Sequence, residues 1–210
     1  TTDADGNLRV TLDAVDMGAY EYSLEGAVRL LQAFSRRTHG AAGTFEIDLV
    51  HPVSGQTRPV EPRQGGPTQI VVTFSRPVFA AGDLDLSDVV LTASSGSAGV
   101  VTNLSVNDNN LVMDLADTTD GTAVRVGFPG IQDSTGNVVE NTLCFNVLAG
   151  DADGNSAVNI FDLVVIRNAL NGPVNAECYR RDVTADGAVN IFDLVMTRNN
   201  LNTLVASPCP

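Results

Sequence analysis

The chain has 210 residues, enough for one large domain or two to three small ones. Its formal net charge of -13 and pI near 4.3 argue against nucleic acid and anionic membranes as partners, and no apolar run reaches transmembrane length. All twelve basic residues are Arg, Trp is absent, and Gly, Ser, Thr, Asn and Asp abound, a composition of turn-rich β structure with carboxylates to spare for hard cations. Thr1 is neither an initiator Met nor the head of a signal peptide, so a mature or excised piece of a longer protein is expected.

Residues 1 to 30 carry an acidic turn, Asp3-Ala4-Asp5-Gly6-Asn7, and then Asp16-Met17-Gly18-Ala19-Tyr20. Too short to bury a core of its own, this stretch resembles the last coil of secreted right-handed parallel β-helix proteins. That resemblance implies that the functional body of a parent protein lies upstream. From 31 to 148, short apolar runs alternate with turn signals. Phe45 to Leu49 has the period of two expected of a half-buried strand. Gln69–Phe74, Val89–Thr92, Val100–Val106, Leu111–Leu115, Ala123–Phe128 and Leu143–Leu148 follow. Between them lie turns such as Gly65-Gly66-Pro67, Asn107-Asp108-Asn109-Asn110 and Thr118-Thr119-Asp120-Gly121. About seven short strands at this spacing predict an antiparallel β-sandwich of immunoglobulin or fibronectin type. The runs Phe34 to Gly40 and Thr73 to Val78 resemble Ig-like modules that act as spacers in secreted bacterial proteins.

From 149 to 210 the period becomes helical and the sequence repeats itself. Asp151 to Asp162 aligns without a gap on Asp182 to Asp193, an offset of thirty-one residues (182 minus 151). Each is a twelve-residue loop with oxygen-bearing side chains at positions 1, 3, 5, 9 and 12. Calcium calls for such a loop, because it takes six to eight hard oxygen ligands that alternate side chains and one carbonyl can supply. In the first loop the expected ligands are the side chains of Asp151, Asp153, Asn155 and Asp162 and the carbonyl of Ala157, with Asn159 direct or through water. In the second they are Asp182, Thr184, Asp186 and Asp193, the carbonyl of Ala188, and Asn190. Two ions are therefore expected. Position 12 is Asp where the EF-hand has Glu, and Ser156 stands where the first loop would have its turn glycine; Gly187 keeps it in the second. Thr184 is a neutral ligand, so the second site should bind less tightly.

A helix follows each loop, Ile160 to Asn171 and Ile191 to Asn202. Leu163, Ile166 and Leu170, together with Leu194, Leu201, Val158 and Val189, have the spacing of a core. Ile160, Phe161, Val164, Arg167 and Asn168 are left on another face, and Ile191, Phe192, Val195, Arg198 and Asn199 repeat it. A module this small has no second core for such a face, which suits a partner. The bland reading packs Phe161 and Phe192 into the module or against the sandwich.

Loop, helix, linker, loop and helix from Gly150 to Asn202 resemble a type I dockerin. The resemblance implies a secreted or cell-surface, EF-hand-like module that engages a cohesin-type domain through Ile160, Phe161, Ile191 and Phe192, with the Arg and Asn residues further along. The apolar pair departs from the hydroxyl residues of many cellulosomal dockerins, which leaves the cohesin specificity open. Near-identity of the helices implies a pseudo-twofold surface that a partner could engage in two orientations.

Nothing in the chain pairs a nucleophile with a base. His39, in Arg-Thr-His-Gly, reads as a turn, and the acidic group Asp83, Asp85 and Asp88 as solvated loop. Cys144, Cys178 and Cys209 allow one disulfide in any of three pairings, or free thiols. The expectation is a mainly β, monomeric, non-catalytic segment. Its β-helix remnant (1–30), Ig-like spacer (31–148) and dockerin (149–210) would attach a parent, suggested by resemblance to be polysaccharide-active, to a cohesin-bearing surface. The alternative is a calcium-stabilised clasp of a surface or adhesion protein without a cohesin.

Overall fold

The computed structural model describes residues 10–11, 14–15, 27–205 and 209. The β-helix coil expected over 1–30 therefore falls largely outside the described residues. Within it, β1 (Val10–Thr11) and β2 (Ala14–Val15) pair antiparallel.

Alternation builds the sheets. In β6 (Gln69–Phe74), Ile70, Val72 and Phe74 share a face and are fully buried, while the residues between them are half-buried. One sheet has five strands in the order β4 (Gly43–Asp48), β3 (Leu30–His39), β6, β10 (Asn110–Thr118) and β9 (Ala98–Asn107). The other has four, in the order β5 (Val60–Glu61), β13 (Leu143–Val147), β11 (Thr122–Gly127) and β8 (Val90–Ala93). A two-residue pair, β7 (Phe79–Ala80) with β12 (Ile131–Gln132), lies apart from both. One core joins the two large sheets: Ile47, Ile70, Phe74, Leu111 and Met113 from the first meet Val124, Val126, Phe145 and Val147 from the second.

Two features differ from the sequence expectation. Strand β3 is ten residues long with a register shift between Leu30 and Gln32, and it carries Arg36 and Arg37 mid-strand, which hid its alternation. The second sheet is not wholly antiparallel, because β5 pairs parallel to β13 through Asn146↔Val60 and Val147↔Glu61. The long excursion between residues 61 and 143 supplies the crossover that a parallel pair needs. Its consequence is positional: the residues after β5 lie against the C-terminal module, with the amide of Gly150 donating to Pro62 O and that of Gln64 to Val183 O.

That module has two helices, α1 (Ile160–Arg167) and α2 (Ile191–Asn199), packed on each other. Both are shorter than the sequence pattern suggested. Asn171 and Asn202 take left-handed φ of 61° and 67°, and their amides donate to Val189 O and Val158 O at 2.9 and 2.8 Å. Each helix thus hands its chain to the loop of the other half. Asn tolerates this conformation where a β-branched residue would not.

The module's core is not self-contained either. Ile166, Val183 and Val189 are buried together with half-buried Leu194 and with Phe45 from β4. Val158 and Val205, joined by Leu201, are buried against Val60, Ala123 and Leu148. Leu163, expected in the core, is half-buried and lines the outer groove, because the inward stripe is completed by β-sheet residues rather than by Leu163. The chain end is tied back as well. A disulfide links Cys144 of β13 to Cys209, and Leu204 bridges Ala157. Cys178 stays a free thiol.

Candidate metal centre and docking face

Each acidic loop is ordered by its own carboxylates. In the first, Asp151 Oδ1 accepts from the amides of Gly154 and Asn155 at 2.9 and 3.0 Å, and Oδ2 accepts from Ser156 at 2.8 Å. Asp153 and Asn155 accept from the amides of Asn155 and Ala157. Asp162, at the far end, accepts from the amides of Asp153 and Asn159 at 3.1 and 2.9 Å and so draws the two ends of the loop together. Asp151, Asp153 and Asp162 consequently bring one oxygen each within 4.8 Å of one another.

The left-handed turn that glycine usually makes at position 6 is made here by Ser156, with φ of 70°. Such a residue costs on the order of 1 kcal/mol. Its amide bond to Asp151 and the Asn146 Nδ2 bond to its hydroxyl, 3.0 Å, offset that cost.

The second loop repeats the pattern. Asp182 accepts from the amides of Asp186 and Gly187 at 3.1 and 2.9 Å, and Asp193 from those of Thr184 and Asn190 at 3.0 and 2.8 Å. The Thr184 hydroxyl donates to Asp193 Oδ1 at 2.9 Å. Asn159 and Asn190 serve as N-caps: their side-chain oxygens accept from Phe161 and Phe192 amides at 2.8 and 2.7 Å, completing capping boxes with Asp162 and Asp193. The carbonyls of Ala157 and Ala188 accept from the amide nitrogens of the same asparagines at 3.3 and 3.2 Å.

Asp151, Asp162, Asp182 and Asp193 are all completely buried. Burial, followed by the charge of Asp162, pushes the Asp151 carboxyl up to about 7, and burial also raises Asp162 and Asp193. The three converging carboxylates of the first loop fit a divalent cation, which would relieve both desolvation and mutual repulsion; in the second loop, where Thr184 takes the place of Asp153, the described acidic side chains do not gather in this way. All the donors are oxygens, and that favours calcium over softer ions.

The second loop has an additional neighbour. Burial works to raise Asp182, yet its carboxyl is held below the usual value by the His39 side chain and the amides of Gly187 and Asp186. His39 ends β3 and is completely buried, with Nδ1 2.9 Å from Asp182 Oδ2. It is therefore no turn residue.

On the outer surface, α1 and α2 enclose a groove of about 440 Å³ lined by Ile160, Leu163, Val164 and Arg167 and by their counterparts Ile191, Leu194, Val195 and Arg198. Every lining residue has its equivalent thirty-one positions away, so the groove lies along the internal repeat. Phe161 and Phe192 are 66% and 65% exposed, and Ile160 and Ile191 60% each. The reading that packs these phenylalanines into the module or onto the sheets does not hold. Arg167, Asn168, Arg198 and Asn199 are exposed too. Asp83, Asp85 and Asp88 lie elsewhere, where Asp85 and Asp88 cap a short 3₁₀ turn.

Among the described residues no helix is long and apolar enough to cross a membrane. No curated protein matches the chain. Residues 149–202, which hold both acidic loops and both helices, match the family model of the dockerin type I domain, and the chain thus carries a dockerin over its last quarter.

Proposed function

We propose that this chain is a non-catalytic docking segment of a secreted or surface protein. Its dockerin, loaded with two calcium ions, binds a cohesin-type domain through the groove between α1 and α2. The carrying observation is that this groove is apolar and internally symmetric, and that the β-sheets cover the opposite side of the module while leaving it open. Exposed phenylalanines and isoleucines on a rigid helical face are the usual anchors of an interface, and Arg167 and Arg198 supply hydrogen bonds at its edge. Asp151, Asp153, Asn155, Asp162 and the Ala157 carbonyl would hold one ion. Asp182, Thr184, Asp186, Asp193 and the Ala188 carbonyl would hold the other. Asn159 and Asn190 fix the start of each helix.

In this reading the two-sheet body is an Ig-like spacer, and the parent acts on polysaccharide. The clasp reading draws on one observation of its own, the Cys144–Cys209 link and the tail that returns along the first loop.

Biolayer interferometry of the full chain against a panel of type I cohesin domains, in calcium and in EGTA, tests the proposal. Binding to at least one member that disappears in EGTA is expected. A folded, calcium-loaded chain that binds none would transfer the function to the clasp.

A further inference from the structure

A polar chain runs from the β-sheets into the second acidic loop. Glu61 and Arg63 are both fully buried, an unusual condition for such residues outside a paired network. Arg63 donates through Nε to Glu61 Oε1 at 2.7 Å and through Nη2 to Glu61 Oε2 at 2.6 Å, in a two-pronged pair. Its Nη2 also donates to the carbonyl and hydroxyl of Ser35, each at 2.9 Å, and the Ser35 hydroxyl donates to Glu61. The remaining prong, Nη1, lies 3.3 Å from His39 Nε2.

The same Nη1 also donates to the Phe45 carbonyl at 3.3 Å. A guanidinium has only donors, so its contact with His39 Nε2 assigns that nitrogen as the acceptor and Nδ1 as the donor. Nδ1–H then donates to Asp182 Oδ2. The ring cannot turn away from this bond. It stands edge-on to Phe45 at 5.2 Å and to Tyr179 at 6.4 Å, and those two rings stack on each other at 5.4 Å.

The backbones interlock at the same place. Gly40, with φ of 45°, approaches so closely that a Cβ on it would meet Asp186 O at 2.1 Å, and a Cβ on Gly187 would meet His39 O at 2.7 Å. The amide of Gln64 donates to Val183 O at 2.7 Å. In the first loop the corresponding aspartate, Asp151, is bonded by its own loop's amides and has no counterpart of His39 among its described side-chain partners.

From this arrangement we infer that the β-sheet body completes the second calcium site: His39, fixed by Arg63 and Glu61, is a positioning residue that orients the first ligand, Asp182. This rests on the calcium reading of the loops. It also counters the weakness expected from neutral Thr184, because an aspartate oriented in advance by its outer partner loses less freedom when an ion binds. The first site should behave as a property of the module, and the second as a property of the module together with the sheets.

The test is calcium titration of the full chain followed by ¹H–¹⁵N spectra. The amides of Ser156 and Gly187 report the two loops separately, since each donates to the position-1 aspartate of its own loop. Three variants are compared: His39→Phe, which removes the donor; His39→Asn, whose amide nitrogen falls near the place of Nδ1; and His39→Gln, whose amide nitrogen falls near that of Nε2. Loss of an outer-shell partner lowers metal affinity about 10–100-fold. The Phe and Gln variants should weaken calcium at Gly187 by about tenfold or more, leave Ser156 unchanged, and differ from Asn, which recovers most of the affinity. If His39→Phe fails to fold, the Asn and Gln pair decides alone. Equal affinities at Gly187 for Asn and Gln, or equal weakening at both loops, would overturn the positioning role. Absence of a calcium response at both amides in the unmodified chain would overturn the calcium reading itself, and this inference with it.

Discussion

Replacing Phe161 and Phe192 by Ser, singly and together, separates docking from packing and also measures the internal symmetry. Both rings are about two-thirds exposed in the free chain. Full burial of a Phe side chain contributes about 1.5–3 kcal/mol, so with a third of that burial each substitution should cost the free chain about 1 kcal/mol or less. Binding is a different matter, since an aromatic anchor lost from the centre of an interface costs about 2 kcal/mol or more. That corresponds to about 30-fold in affinity.

The groove pairs each residue with its equivalent thirty-one positions away, so a partner can anchor on Phe161 in one orientation and on Phe192 in the other. Removing one ring then leaves the other orientation intact and weakens binding only about twofold, or RT ln 2, about 0.4 kcal/mol. Removing both should bring the full loss of about 30-fold. Interferometry against the tightest cohesin domain of the panel, with urea unfolding of each variant, supplies the readout. A single substitution as damaging as the double one would refute two-way docking. A loss of stability beyond about 2 kcal/mol in the free chain would refute the exposed face.

Two further outcomes follow from the junction between sheets and module. Glu61→Gln leaves Arg63 buried without its counter-charge and should destabilise the chain by about 3–5 kcal/mol in urea. Burial tends to raise Glu61, but the charge and hydrogen bonds of Arg63 hold it below the ordinary value of 4.5. Its contribution is thus present above pH 4.5 and lost as pH falls through the lower folded value. The unmodified chain should accordingly lose stability in acid more steeply than the Gln variant, and parallel curves would contradict the buried pair. Cys209→Ser opens the covalent loop spanning 65 residues that encloses the whole module. Chain entropy puts the cost at about 4 kcal/mol, and an unfolding midpoint indifferent to this substitution would show that the link does not constrain the module.

The acidic loops were legible because their information is local. Ligand spacing, the position-12 aspartate and the asparagine cap all lie within twelve residues, and a thirty-one-residue repeat states them twice. The strands with clean alternation, such as β6 and β10, were legible for the same reason, since one buried face writes a period of two into the sequence. Length of helix was not. The pattern runs on to Asn171 and Asn202, but a left-handed asparagine gains a bond to the opposite loop by stopping, and that partner lies far along the chain. The Cys144–Cys209 pairing was one of three possibilities for a similar reason, because chain folding alone brings those thiols together.

His39 shows where local reading fails and what physical sense the failure carries. Its Arg-Thr-His-Gly context describes a strand end followed by a left-handed glycine, which looks like any exposed turn. The partner that gives it meaning, Asp182, is 143 residues away, and the Arg63 that sets its tautomer shares no motif with either. The same distance explains why the module looked self-sufficient. Two helices with an inward stripe suggest a private core, yet Phe45, Val60 and Leu148 fill part of it from the sheets. Burying one side of the module this way fixes it to the body, and the acidic loops with it. Among the described residues the apolar stripe of Ile160, Phe161, Ile191 and Phe192 then meets no intramolecular surface, so the packing that welds the module to the sheets also leaves that stripe exposed.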